Sequence, residues 1–249
     1  MIYLMKTKLR HLLLIMFFVA TSCNTPCDPA ESEMVWVKGG TFILGSTYEH
    51  ARDYYGDNWV EPTKQVAIND YYIGKYEITQ TQWIEIMNSN PSHFKGDGLP
   101  VTNVSWDEVQ VFITRLNERT GKHYRLPAEY EWEYAAKGGN KSKKYKYSGS
   151  NKVEDVAWYS DNSKGKVHPV GTKLPNELGI YDMSGNVMEW CNDWCTDPAI
   201  YYSGCTKRRI IRGGGWDSAA WNVRVSHGNS YTTDYSNNRI GFRLARSSK

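Results

Sequence analysis

The sequence predicts one domain that mixes a few short helices with short β-like pieces and leaves much of the chain in loops. Three observations predict it. Apolar residues recur at helical spacing in only three places. Elsewhere, β-prone runs alternate with turn residues. Aromatic and glycine residues are abundant, with 10 Trp, 18 Tyr and 21 Gly in 249 residues. The folded part is expected over residues 34–246, a length that suits one core of good size. Ordering so many loops costs conformational entropy. Aromatic packing and bound metal are two ways to offset it.

Each helix has its own local signals. Thr79 can cap a helix over Gln80–Asn88, with Trp83 and Met87 on one face. Ser105-Trp106-Asp107-Glu108 has the spacing of a capping box, in which Ser105 and Glu108 each satisfy the other's free N–H. Val109, Phe112, Ile113 and Leu116 then follow at helical spacing, and Gly121 ends the helix. Pro127 suits the first turn of a third helix over Ala128–Lys137, stopped by Gly138-Gly139. The β-like pieces include Val35–Phe42, Val66–Ile73 and Ile210–Gly213. No internal repeat or low-complexity tract is present.

Residues 1–22 read as a removable export signal. Lys6, Lys8 and Arg10 form its positive start, Leu12–Ala20 its apolar core, and Ala20-Thr21-Ser22 the small residues before Cys23. The apolar run is shorter than the roughly 20 residues that span a bilayer. Small residues directly before a cysteine resemble a bacterial lipobox, which makes Cys23 the acylated first residue of the mature protein. The alternative is an ordinary secretory signal cut near Ser22. Residues 23–33 are polar, carry Pro26 and Pro29, and read as a flexible tether. The expected location is therefore lipid-anchored at a bacterial cell envelope, with the membrane face undetermined.

The net charge of +3 equals the three cations of the signal, so the mature chain is neutral. A neutral chain gives no electrostatic case for nucleic acid. Lys141–Lys146 and Lys207-Arg208-Arg209 read as solvated loops. The cysteines are Cys23, Cys27, Cys191, Cys195 and Cys205. Export permits disulfides, and Cys195 with Cys205 would close a short loop. Cys191, beside Trp190, reads equally as a buried thiol. No Cys-x-x-Cys pair supports a zinc ribbon or a thioredoxin-type site.

Several phrases recur in one order. They are Val35–Ser46, Tyr76-Glu77-Ile78-Thr79-Gln80, Pro100–Trp106, Arg125–Ala135, Gly179–Trp190, Arg212-Gly213-Gly214-Gly215-Trp216 and Arg239-Ile240-Gly241-Phe242-Arg243. Together they resemble the formylglycine-generating-enzyme, or sulfatase-modifying factor, domain family over essentially all of Met34–Ala245. The resemblance implies a single compact α+β domain with little regular structure, related to C-type-lectin-like folds. Its catalytic members use copper and oxygen to convert a sulfatase cysteine to formylglycine. Others in the broad family are non-haem iron enzymes or non-catalytic lipoprotein domains of secretion and gliding machineries. Fold alone does not choose among these.

Copper(I) wants a close thiolate pair. In the family that pair follows the Arg-Gly-Gly phrase, and its two places here hold Ser218 and Val223. No cysteine occurs after Cys205, so no copper is expected. Ser218 activated by His227 lacks a triad signature. The histidines are His11, His50, His93, His123, His168 and His227, scattered without a metal-binding spacing. An iron triad assembled across the fold stays open at this point.

Calcium has better support from the resemblance. A family site maps onto the side chains of Asp182 and Glu189 and the carbonyls of Gly185 and Val187, a mix of oxygens that suits calcium. The alternative is a turn in which both carboxylates only accept backbone N–H groups. Asp155, Asp161 and Asn162 offer further oxygens, but no second site is assigned. The three glutamates of Arg125-Leu126-Pro127-Ala128-Glu129-Tyr130-Glu131-Trp132-Glu133 read as structural. Glu129 and Glu133 share a helix face and Glu131 points elsewhere. Arg239 or Arg243 is expected to pair an internal carboxylate. The expected function is a non-catalytic binding or scaffolding lipoprotein with an envelope protein or glycan partner. The alternatives are a formylglycine-generating oxidase and a glycan-binding module.

Overall fold

The computed structural model describes residues 28–46, 63–196, 205 and 207–248. The export signal, Cys23, Cys27, His11 and His50 lie outside the described residues. No helix among the described residues is long and apolar enough to cross a membrane.

The two capped helices form where their local signals place them. Helix α1 spans Gln80–Met87, with the Thr79 side chain accepting the Gln82 N–H and the Gln82 side chain accepting the Thr79 N–H. Helix α2 spans Trp106–Thr120 behind the Ser105–Glu108 capping box, and the Gly121 N–H closes it on the Asn117 carbonyl. Such a cap contributes about 1 kcal/mol. Helix α3 is shorter than expected, Glu129–Ala136, because Pro127 stands outside it. Ala128 has no side-chain cap, so Glu131 reaches back to its N–H at 2.8 Å. Helix α4 is the single turn Val153–Val156.

Ten strands appear among the described residues: β1 Met34–Val37, β2 Gly40–Leu44, β3 Lys64–Ile68, β4 Tyr71–Gly74, β5 Tyr124–Arg125, β6 Met188–Trp194, β7 Arg208–Arg212, β8 Gly228–Thr232, β9 Ile240–Gly241 and β10 Ala245–Ser247. They form three sheets, ordered β1-β4-β10-β5, β2-β3 and β8-β7-β6-β9, with β6 and β9 parallel and the other pairs antiparallel.

The expected pieces Val35–Phe42 and Val66–Ile73 are each split in two. β1 pairs with β4 and β2 pairs with β3, so one antiparallel ribbon bends from the first sheet into the second. The bend falls at Gly39 opposite Asn69 and Asp70. The Gly39 N–H donates to Asp70 Oδ1 at 2.8 Å. A Cβ at Gly39 would lie 2.2 Å from the Ile68 carbonyl oxygen, so only glycine allows the strands this close.

Two main cores fill the domain. In the first, α1 and α2 pack Trp83 on Phe112, stacked at 5.1 Å, with Phe242 edge-on to Phe112 at 5.4 Å and Trp190 nearby. The second gathers Trp132, Ile73, Ile180, Met183 and Cys191 under α3 and β6. A third, smaller cluster holds Tyr147, Val156, Ala157, Tyr159 and Val223. Cys195 and Cys205 are joined as a disulfide and Cys191 is a buried free thiol.

The segment expected to be tether is partly docked. Residues Glu31–Glu33 form a 3-10 turn, Ala30 is buried in the first core, and the Tyr124 hydroxyl donates to Asp28 at 2.8 Å. Residues 28–33 therefore belong to the folded body, whose first described residue is Asp28.

Candidate functional site

The two positions that correspond to the family's cysteine pair follow β7. Ser218 closes a turn: its Oγ accepts the Gly215 N–H and its own N–H donates to the Gly215 carbonyl, both at 2.9 Å. Its carbonyl accepts the Ser160 N–H at 2.9 Å. Val223 is fully buried in the third apolar cluster. Neither offers a thiolate, and one side of the pair is a hydrocarbon plug. Cys191 is held in the second core, where burial pushes its thiol well above the usual range and keeps it protonated. These residues do not fit copper(I). His227 packs its ring on Trp221 at 5.2 Å, while the Ser218 hydroxyl accepts from the turn. Among the described residues, no three His, Cys, Asp or Glu side chains come together in a group that could hold a metal ion.

The turn from Tyr181 to Trp190 is built around buried charge. Asp182 and Asn186 both have left-handed backbone, at φ 57° and 59°, which short polar residues tolerate. Gly185, at φ 81°, lets the turn close on Trp158, whose carbonyl oxygen would be 2.2 Å from a Cβ. The turn delivers Glu189 to the Arg243 guanidinium. Arg243 Nε donates to Glu189 Oε2 and Nη2 to Oε1, each at 2.6 Å. Trp132 Nε1 adds a third bond to Oε2 at 2.7 Å. The other Arg243 donors reach the Gly74 and Tyr181 carbonyls at 2.9 Å.

Two more acids share this interior. Glu77 accepts from the Asn186 side chain at 2.7 Å and from the Val187 N–H at 3.1 Å. Asp182 accepts the Gly171 N–H at 2.6 Å. Burial, reinforced by Asp182 and Glu189, pushes Glu77 well above the ordinary carboxylate range. Burial also raises Asp182 to about 6, against the pull of the Gly171 N–H and Arg243. The structure thus brings Asp182, Gly185, Val187 and Glu189 into one turn, but centred on Arg243. Glu189 does not fit as a calcium ligand, because its oxygens are taken by Arg243 and Trp132 and the guanidinium already supplies the positive charge. Sequence reasoning missed Glu77 and Asn186 as partners of this turn. Both stood in the recurring phrases, but only the fold joins them.

The glutamates of α3 are structural, as expected. Glu133 pairs with the buried Arg212 and with Lys137, the latter at 2.5 Å. Glu129 approaches the same Arg212 at 3.8 Å. Glu131 forks Arg125 through bonds of 2.6 and 2.8 Å. Arg239 does not find an internal acid and pairs with Asp217 near the surface at 3.0 Å. Asp155, Asp161 and Asn162 bond locally to Ser150, Ser160 and Tyr159.

A cavity of about 790 Å³ opens between β2, the loop after α3 and the segment after Val223. Lys137, Lys144, Lys146 and Arg224 line it beside Phe42 and Tyr134, and among the described residues no Asp or Glu does. Lys137 is matched by Glu133 behind the wall. Four cations beside two aromatic rings give the described lining a chemistry that suits anionic groups.

Three comparisons place this architecture among known proteins. The chaperone protein LppX of Paenibacillus barcinonensis is 34% identical over 278 residues, covering 91% of this chain and 94% of that protein. The formylglycine-generating enzyme of Streptomyces coelicolor is 32% identical over 171 residues, covering 59% of this chain and 52% of that enzyme. Treponema denticola variable protein 1 superposes with a TM-score of 0.74 at 29% identity, over 86% of this chain and 94% of that one. The sulfatase-modifying factor enzyme 1-like domain matches residues 20–248, so the chain belongs to that formylglycine-generating-enzyme-like family.

Proposed function

We propose that this chain is an exported, lipid-anchored binding or scaffolding protein that keeps the family's body without its oxidase chemistry. The observation that carries this reading is Val223, packed against Tyr147, Val156, Ala157 and Tyr159 where the chemistry requires a thiolate. The partner is a protein of the same envelope compartment. The name of LppX, a chaperone aligned over nearly its whole length, supports a client-protein role. The cationic cavity is the contact for acidic groups on that client.

The same reading holds the Asp182–Glu189 turn together by the Arg243 ion pair, in place of the calcium ion that the family resemblance implies.

The test uses the full chain, copper, oxygen and a peptide containing Cys-x-Pro-x-Arg. No conversion of the peptide cysteine above a protein-free blank is expected. Enzyme-dependent turnover would overturn the reading.

A further inference from the structure

The outer face of the sheet β1-β4-β10-β5 carries a cross-strand row. Trp36 stands opposite Tyr72, Tyr72 opposite Arg246, and Arg246 opposite Tyr124. Residues directly opposite on neighbouring strands share a face. Trp36 meets Tyr72 edge-on at 5.0 Å, and the Arg246 guanidinium lies 4.7 Å from the centre of the same Tyr72 ring. Trp36 is 45% exposed, although it is an indole in the middle of a strand.

The chain enters on this same face. Glu31 pairs with Arg246 at 3.3 Å and with Lys122 at 3.5 Å. The Tyr124 hydroxyl donates to Asp28 at 2.8 Å and to Glu31 at 2.9 Å. Only the links from Cys23 to Asp28 then separate the anchoring cysteine from the docked body. Fully extended, those five links span at most about 17 Å. Strands lie about 4.8 Å apart, so Trp36 is about 10 Å from Arg246 across the sheet. A lipid on Cys23 can lie no farther than those five links reach from Asp28, which is bonded to Tyr124 opposite Arg246.

We propose that the Trp36–Tyr72–Arg246 face seats on the lipid surface, as a second contact beside the acyl anchor. Indole and phenol rings favour the headgroup region of a bilayer. The planar fork of a guanidinium suits lipid phosphates. The seating rests on the reading that Cys23 is acylated.

The experiment uses the full-length acylated protein in vesicles of phosphatidylcholine and phosphatidylglycerol with brominated acyl chains. Tryptophan quenching is compared in wild type, W36F and W194F. Trp194 is 47% exposed and lies in another sheet, so it serves as the control. Brominated lipid is expected to quench wild type and W194F equally, and W36F is expected to lose more than half of that quenching. Equal quenching in W36F, or none in wild type, overturns the seating while leaving the anchor intact. Protection of Trp36 from aqueous acrylamide only in a detergent-solubilised dimer assigns the face to a second copy, and this also overturns the seating. Mass spectrometry that finds no lipid on Cys23 overturns the anchor and the seating with it.

Discussion

Arg243 grips both carboxylate oxygens of Glu189 at 2.6 Å, and neither side chain reaches solvent. Removing one partner of such a pair strands a buried charge, which costs about 3–5 kcal/mol. Arg243→Ala would also leave the Gly74 and Tyr181 carbonyls without their donor. Its urea midpoint should fall by a matching amount. Because the guanidinium supplies the positive charge, chelation of divalent ions should leave the melting temperature of the wild type unchanged. Elemental analysis that finds one tightly held calcium per chain, together with a drop in melting temperature on chelation, would restore the turn as a metal site.

Asp182 is an acid whose pKa rises on folding, from 3.8 to about 6. The folded state therefore holds this proton more tightly than the unfolded state does. Its contribution to stability is present below about pH 4 and is lost as the pH climbs through about 6. Asp182→Asn keeps an acceptor for the Gly171 N–H, suits the left-handed backbone and drops the charge. Urea unfolding at pH 7.5 should find the variant more stable by ~1–3 kcal/mol, with the difference shrinking toward zero at pH 4. A variant less stable than wild type at pH 7.5 would contradict this account.

Gly39→Ala places a methyl group 2.2 Å from the Ile68 carbonyl oxygen and 2.9 Å from the Asp70 nitrogen. Both are backbone atoms, so no side chain can swing away to relieve the clash. A loss of about 3 kcal/mol or more is expected, read by thermal or urea unfolding. The Gly215→Ala comparison separates steric from generic effects, since its added Cβ would meet nothing closer than 3.4 Å and its backbone is not left-handed.

Lys144 and Lys146 stand on the cavity wall. Anilinonaphthalene sulfonate, an aromatic anion, should bind the native protein and bind less well as salt rises. Lys144→Glu with Lys146→Glu should weaken that binding by about tenfold, a change of 1.4 kcal/mol. Titrations that ignore both salt and charge reversal would show that the cavity is not an anion site.

The elements that local chemistry decides were legible in the sequence. Thr79 and the Ser105–Glu108 pair set their helix starts locally, and both caps form as read, with Gln82 completing the first. The Cys195–Cys205 bridge spans 10 residues and was legible for the same reason. Ser218 and Val223 were legible as missing thiols from the phrase around them. What was not legible is nonlocal. Nothing near Gly39 reveals that Ile68 will press on it, so the two β-like runs read as single strands. Glu77 and Asn186 are 109 residues apart, and Glu189 and Arg243 are 54 apart. The turn at Asp182–Glu189 was visible as special, yet the charge that it closes around comes from the far end of the chain.

The bent ribbon has a mechanical meaning. Its β1 half carries Trp36 on the proposed lipid-facing side, and its β2 half forms a wall of the cationic cavity. Only Lys38 and Gly39 lie between those strands, and the Gly39–Asp70 bond stiffens the corner. On the proposed reading, a client pulling on the cavity wall loads a lever whose other arm rests on the bilayer. Force passes along backbone, without crossing a side-chain interface that could slip.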